Sequence, residues 1–325
     1  MLNGSNLVTL RTDENGAFEN AGMIPGSYRL VYIPDELTIS APAGETSFST
    51  VQNQLVTDEL TLTAGDSIDS IHLGLMRYTD ITGTVWFDEG GTINQLSGAR
   101  VNLLDEAGNQ LLTTVTGEDG AYALQRLLPG TYEITVSMPA GHVVVEPDDA
   151  RITEKGLISI MKEVNRTEGT TGKFVLRMGD AMQEQNIGGV LPGILGDFLW
   201  LDLNKNGLQD TDEGGIPGVT IDLERENGEL IASTVTDQYG YYRFTDLYPS
   251  SYILVPHLPE EVTPTQHRED VPGIVSVLED DGRSIPVPVI SDSKNYDADM
   301  GCILVHAGDY PAGYGQGATQ DWRKD

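Results

Sequence analysis

Between residues 202 and 213 the chain places Asp202, Asn204, Asn206, Asp210 and Glu213 at positions 1, 3, 5, 9 and 12 of a twelve-residue stretch, with Gly207 at position 6. Hard oxygen donors at this spacing follow the ligand order of an EF-hand calcium loop, whose seventh position adds a backbone carbonyl, here that of Leu208. Glu213 can close such a site with both oxygens, and Gly207 permits the sharp turn that gathers the ligands. Ca2+ is therefore the expected cofactor, held by Asp202, Asn204, Asn206, Leu208, Asp210 and Glu213. Asparagine at positions 3 and 5 removes two charges from an all-aspartate loop and predicts modest affinity; Asp212 is expected to face outward. The flanks do not read as helices. Gly196 to Leu201 and Gly218 to Leu223 look like strands, so the loop is expected to be a calcium clip in a β-domain, beside an inter-module linker.

The elements that must position this loop come from an internal repeat. Thr12 to Pro34, Thr116 to Pro139 and Thr236 to Pro259 each carry a glycine (Gly16, Gly120, Gly240), followed nine residues later by proline (Pro25, Pro129, Pro249) and twelve later by tyrosine (Tyr28, Tyr132, Tyr252). Upstream of the second and third copies, Ala99 to Leu103 and Val219 to Leu223 alternate with period two, as half-buried strands do. Glu106-Ala-Gly-Asn and Glu226-Asn-Gly-Glu supply hairpin turns after them. Short strands with turn signals at this interval predict antiparallel β-sandwiches in tandem, an all-β chain. The reading assigns a partial module to 1–78, a module without a calcium loop to 79–180, a Gly-rich linker to 181–194, a calcium-binding module to 195–304 and an irregular tail or the start of a further domain to 305–325. Asp202 to Gly218 is 16 residues and the corresponding Asp88 to Gly98 is 10, so module two lacks most ligand positions and is expected to bind no ion there.

Composition narrows the partners. Fifty acidic against 19 basic residues give a net charge of −31, a field that repels nucleic acid and anionic lipid and draws divalent cations. One cysteine, Cys302, allows no intramolecular disulfide and reads as a buried, inert thiol. No stretch reaches the ~20 apolar residues of a membrane helix, and the first residues lack the pattern of a signal peptide. Trp86 and Trp200 are expected to pack the sandwiches; a carbohydrate platform is the rival reading. Tyr241, Tyr242 and Tyr248 suggest a cluster able to meet a partner, and Asp297 with Asp299 a possible second pair of carboxylate ligands. The five histidines are scattered without metal spacing. Module one lacks its early strands, which leaves completion by a donor strand from another chain, or another copy of this one, as an open expectation.

The run from Gly196 to Glu213, then Gly215-Ile-Pro-Gly218-Val-Thr-Ile and Thr236-Asp-Gln-Tyr-Gly-Tyr-Tyr-Arg-Phe, resembles the SdrD B-type repeats of bacterial surface proteins, a group related to Cna B-type domains. The resemblance is strong over module three, good over module two apart from its loop, and partial over module one. It implies prealbumin-like, Ig-like sandwiches arranged as an extended rod and stiffened by calcium. Some relatives carry a lysine-to-asparagine isopeptide bond, but Ile81 to Asp88 and Gly196 to Asp202 contain no lysine, so none is expected. No Gly-x-Ser-x-Gly elbow, His-Glu-x-x-His or phosphate-cradling loop is present. The expectation is a non-enzymatic, extracellular stalk or surface-filament protein. An adhesin binding host matrix protein or glycan, and a non-catalytic scaffold of a secreted enzyme, stay open.

Overall fold

A computed structural model describes residues 8–33, 38–40, 48–51, 54–69, 71–147, 149–268 and 273–306. The expected tail therefore lies almost wholly outside the described residues. The chain divides into two compact units: Met1–Thr79 with Gln125–Pro129 and Leu176–Ala181, and Asp80–Leu124 with Gly130–Val175 and Met182–Asp325.

The first unit contains three small sheets. Strand β1 (Gly26–Tyr28) pairs with β6 (Leu60–Leu62), β2 (Val31–Tyr32) with β5 (Gln54–Thr57), β5 with β4 (Phe48–Val51), and β3 (Thr38–Ser40) with β7 (Leu75–Arg77). Leu55, Val56, Leu127 and Leu176 are buried apolar residues of this unit.

The second unit holds two sandwiches of the same design. Module two runs through β8 (Thr79–Glu89), β9 (Thr92–Gln95), β10 (Arg100–Asp105), β11 (Gln110–Val115), β12 (Ala121–Leu127), β13 (Gly130–Ser137), β14 (Val143–Val144), helix α1 (Ala150–Glu154), β15 (Glu163–Asn165), β16 (Glu168–Leu176) and β17 (Ile187–Val190). One sheet has the order β11-β10-β13-β16-β15; the other has β12-β8-β17-β14 with β9 on β8. Module three comprises β18 (Gly193–Leu201), β19 (Thr220–Arg225), β20 (Leu230–Val235), β21 (Tyr241–Leu247), β22 (Ser250–Pro256), β23 (Val262–Pro264), β24 (Val287–Val289), β25 (Lys294–Asn295) and β26 (Met300–Leu304). Its sheets are β20-β19-β22-β24 and β21-β18-β26-β23, with β25 on β18.

The repeated residues have identifiable jobs. Gly120 and Gly240 sit at φ +66° and +93°, and a Cβ there would lie 2.5 Å from the Val85 carbonyl or 2.6 Å from that of Leu199. Only glycine meets both demands. The threonines four residues earlier, Thr116 and Thr236, are buried and knit neighbouring strands: Thr236 Oγ1 accepts from Val219 N at 2.9 Å and donates to the Ile216 carbonyl at 2.8 Å. The motif tyrosine folds back over its own turn, with Tyr28 Oη donating to the Ile24 carbonyl and Tyr252 Oη to that of Tyr248, both at 2.6 Å.

Two expectations meet a different geometry. The sandwiches are antiparallel except where the closing strands return beside the first: β17 runs parallel to β8, and β25 and β26 parallel to β18. The stretch expected as a linker, 181–194, holds β17 and the start of β18, so only residues 191 and 192 separate the two modules. Its glycines look like linker composition, but they serve packing. A Cβ on Gly188 would lie 2.5 Å from the Trp86 ring, as one on Gly301 would from the Trp200 ring. Each tryptophan thus lies against a glycine of the closing strand, and both rings are buried.

Candidate functional site

β18 ends at Leu201, whose N–H donates to the Gly214 carbonyl at 3.0 Å, while Asp202 N reaches the Cys302 carbonyl at 2.7 Å. These two bonds fix both ends of the 202–213 loop on the sandwich. Gly207 has φ +77°, and a Cβ there would lie 2.7 Å from the Gln266 carbonyl, so both the turn and the close approach require glycine.

Inside the loop the expected ligands converge on one another. Asp202 is buried; its Oδ2 accepts from Gly207 N at 2.8 Å and from the Thr265 hydroxyl, and its Oδ1 from Asn206 N at 3.2 Å. Glu213, also buried, accepts from Leu203 N at 2.8 Å and from Asp210 N at 3.0 Å, one on each oxygen. Asp210 Oδ2 receives the side-chain amides of Asn204 at 2.7 Å and Asn206 at 2.9 Å. Asn206 Oδ1 accepts from Leu208 N at 2.7 Å, and Arg268 Nη1 reaches the Asn206 carbonyl at 3.3 Å. Asp212 is exposed.

The electrostatics follow. Burial raises the Glu213 carboxyl above its ordinary range despite the N–H groups of Asp210 and Leu203, and the charges of Asp202 and Asp210 push it further in the same direction. Three carboxylates thus stand in one loop, where N–H and O–H dipoles meet their oxygens and the Arg268 guanidinium sits on the Asn206 carbonyl. Among the described residues, no group of three or more His, Cys, Asp or Glu side chains is gathered into a metal cluster by itself. An ion here would therefore need the Asn204 and Asn206 amide oxygens and the Leu208 carbonyl as well. That all-oxygen donor set fits a hard divalent cation with high coordination number.

In module two the corresponding position is filled differently. Asp88 Oδ1 accepts from Gly91 N at 2.7 Å, and its Oδ2 meets Lys155 Nζ, just beyond α1, at 2.7 Å. A lysine 67 residues away in sequence supplies the cation.

The joint between modules two and three is a second built feature. Tyr248 Oη accepts from Glu146 N at 2.9 Å and donates to Asp149 Oδ2 at 2.8 Å. Its ring packs on the cluster of Trp86, Val143, Val145, Ile152 and Val190. Glu146 Oε1 pairs with Arg225 at 2.6 Å, and Asp246 pairs with Arg166. Burial works against the charged form of Asp149, but hydrogen bonds from Arg151 and Tyr248 hold its carboxyl below the ordinary value. Ser291 completes the joint: its hydroxyl donates to the Asp88 carbonyl and accepts from Leu191 N at 2.9 Å, while its own carbonyl receives Gly90 N at 3.1 Å.

The 202–213 loop is not at this joint. Leu191 and Gly193 stand at one end of β18 and Asp202 at the other; nine strand residues separate them by roughly 30 Å. The expectation that the loop lies beside the inter-module linker is therefore corrected, because the strand between them crosses the whole sandwich.

The remaining candidates are dispersed. Tyr242 is buried with its hydroxyl on the Ala298 carbonyl, Tyr241 is half-buried against Phe198 with ring centroids 4.8 Å apart, and Tyr248 belongs to the joint, so they form no exposed cluster. Asp297 is exposed whereas Asp299 is buried, so they do not act as a pair. Asp299 instead approaches Tyr242 together with buried Asp197; burial, then these two carboxylates, push the Tyr242 phenol well up. Cys302 is buried and its thiol is pushed up by that burial. Sequence reasoning missed Lys155, Tyr248 at the joint, Ser291 and the Asp197–Asp299 association. None has a local signature.

Comparison with known proteins adds the following. The model of the SdrD B-like domain matches residues 79–188 and 193–302, so the first match ends within β17 and the second begins with β18. Serine-aspartate repeat-containing protein D of Staphylococcus aureus (strain Newman) is 30% identical over 308 residues, covering 92% of this chain and 22% of the relative. Colossin-A of Dictyostelium discoideum is 27% identical over 283 residues, covering 81% of this chain and 2% of that protein. Among solved structures, a minor pilin of Streptococcus agalactiae aligns with a TM-score of 0.32 at 10% identity, covering 72% of this chain and 99% of the pilin. The chain thus spans about a fifth of the length of the first of these relatives.

Proposed function

This chain belongs to the family of SdrD B-like domains, and from that membership we propose that it is a non-catalytic structural segment of an extracellular surface protein, with calcium bracing the end of module three remote from module two. The observation that carries the calcium reading is the convergence of Asp202, Asp210 and Glu213, with Asn204 and Asn206, around one Gly207 turn closed on the sandwich at both ends. An ion bound by the six loop residues would neutralise the crowded carboxylates and fix a loop that otherwise relies on N–H dipoles. It would act on the end of module three remote from module two. The joint between these modules is supported separately, by Tyr248, Ser291 and the Glu146–Arg225 pair.

Calorimetric titration of the whole chain with Ca2+ tests this reading. One ion bound per chain, with binding lost in Glu213→Ala, is the expected result; no heat and no change in melting between calcium and chelator would remove the calcium assignment. An adhesive role through the tyrosines loses its basis, since Tyr242 and Tyr248 are occupied in core and joint.

A further inference from the structure

Sheet edges are usually protected by shortness, charge or proline, because a bare edge invites another strand. In the second unit most edges follow that rule. β9, β14, β15, β23, β24 and β25 have four residues or fewer, β12 carries Arg126, and β21 carries Arg243 and Asp246. Two edge strands depart from it. β11 (Gln-Leu-Leu-Thr-Thr-Val) and β20 (Leu-Ile-Ala-Ser-Thr-Val) are each six residues long, with no charge and no proline, in a chain of net charge −31. They occupy the same place in their modules, each ending its sheet beside the strand that precedes it.

Their backbone geometry is also the same. Thr116 spends its N–H on the Ala99 carbonyl at 2.9 Å and its carbonyl on Gly98 N at 3.0 Å; Thr236 does likewise with Val219 at 2.9 Å and Gly218 at 3.0 Å. The register shifts by one residue at Leu111 and Ile231; over the regular part antiparallel ladders alternate, so Thr113 and Val115, and likewise Ser233 and Val235, direct N–H and C=O away from the sheet. Val115 is 52% and Val235 55% exposed, and the side chains at the shift, Leu111 and Ile231, are 49% and 38% exposed. The two edges therefore repeat one pattern of outward amides and exposed β-branched or aliphatic side chains.

We infer that β11 and β20 are strand-addition surfaces for an extended peptide segment of another protein, apolar at alternate positions and basic at its ends. Charge selects this occupant. Asp105, Glu106, Glu118 and Asp119 surround the ends of β11, and Glu226, Glu229 and Asp237 those of β20. A second copy of this chain would bring the same carboxylates against them, whereas lysine or arginine at the ends of the incoming strand would meet them. The inference is independent of the calcium reading, since neither strand touches the 202–213 loop in the sheet order.

The test uses the whole chain and a capped synthetic peptide, Lys-Lys-Val-Thr-Val-Thr-Val-Lys-Lys, with a control in which both threonines are proline. Hydrogen exchange should slow by about tenfold at the outward amides of Thr113, Val115, Ser233 and Val235 when the peptide is added, and the proline control should leave them unchanged. The double variant Thr113→Pro, Ser233→Pro removes one outward N–H from each strand, together with the hydroxyl bonds to Asn102 and Asp222, and should abolish binding. Thr113→Lys with Ser233→Lys, which keeps the strands, should weaken it by about tenfold through like-charge repulsion. Equal binding of the proline control, or protection confined to other strands, would overturn the inference. So would protection of these amides in the chain alone as concentration rises, which would make a second copy the occupant.

Discussion

At the end of β8, Asp88 meets the ammonium of Lys155 at 2.7 Å; at the end of β18, the corresponding Asp202 meets the N–H groups of Asn206 and Gly207 and the Thr265 hydroxyl, with Asp210 and Glu213 in the same loop. The two ends start from the same strand position and the same carboxylate. Module two carries its own counter-charge on a side chain just beyond α1. Module three has six more residues there, and they bring further oxygens. A buried or half-buried carboxylate needs positive charge from somewhere: the Lys155 ammonium supplies it to Asp88, whereas N–H and O–H dipoles answer Asp202.

The largest effect that would break the comparison is calcium removal. If calcium is held at a hundred times its Kd, chelation should cost module three about 2.7 kcal/mol, a drop of roughly 10 °C in its melting transition. Module two should melt unchanged, and Glu213→Ala should make the whole chain insensitive to chelator; differential scanning calorimetry reads all three. Next in size is Lys155→Met, which leaves Asp88 without its cation and should destabilise module two by about 1–2 kcal/mol, moderated because the lysine is partly exposed. Adding Asp88→Asn should recover most of that loss in chemical denaturation. If the single variant is silent, Lys155 is not the module's internal substitute for an ion.

A smaller change, Tyr248→Phe, keeps the ring in its cluster but strips the hydroxyl from Glu146 N and Asp149. It should cost about 1 kcal/mol at the joint and speed proteolysis between the modules, with calcium making no difference, since the ion loop lies at the other end of β18. Calcium-dependent rescue of this variant would mean the two ends communicate. The smallest expected effect is in pH. Glu213 has its folded carboxyl raised above the unfolded value, so the folded state holds the proton more tightly. In chelator this residue's contribution should therefore favour folding at low pH and be lost as pH rises from the ordinary glutamate value through the raised one. With calcium the trend should reverse, because the ion requires the deprotonated carboxylate. A urea-unfolding series at several pH values, with Glu213→Gln as reference, isolates the term.

Much of the fold was legible because its signals are local. Gly240, Thr236 and Tyr252 mark a turn, a strand stitch and a tyrosine closure that each reach only a short distance along the chain or to a neighbouring strand. The alternation of Val219, Ile221 and Leu223 places a buried face directly. The closing strand β17 escaped because Gly188 and Gly189 have linker composition; the reason for Gly188 is the Trp86 ring, 102 residues earlier in the chain.

The amino-acid order alone determined the repeat, the sandwich class and the spacing of oxygens from Asp202 to Glu213, since these depend on neighbours joined by covalent bonds and on periods of two. Tertiary structure alone decided that Lys155 answers Asp88, that Tyr248 seals the joint with module two, and that the ion loop stands at the far end of β18 from that joint. Each of those outcomes depends on which distant strands lie side by side and which way they run. The parallel return of β17 and β26 beside β8 and β18 sets that arrangement, and within each sheet Trp86 and Trp200 lie directly opposite Gly188 and Gly301 on the returning strand.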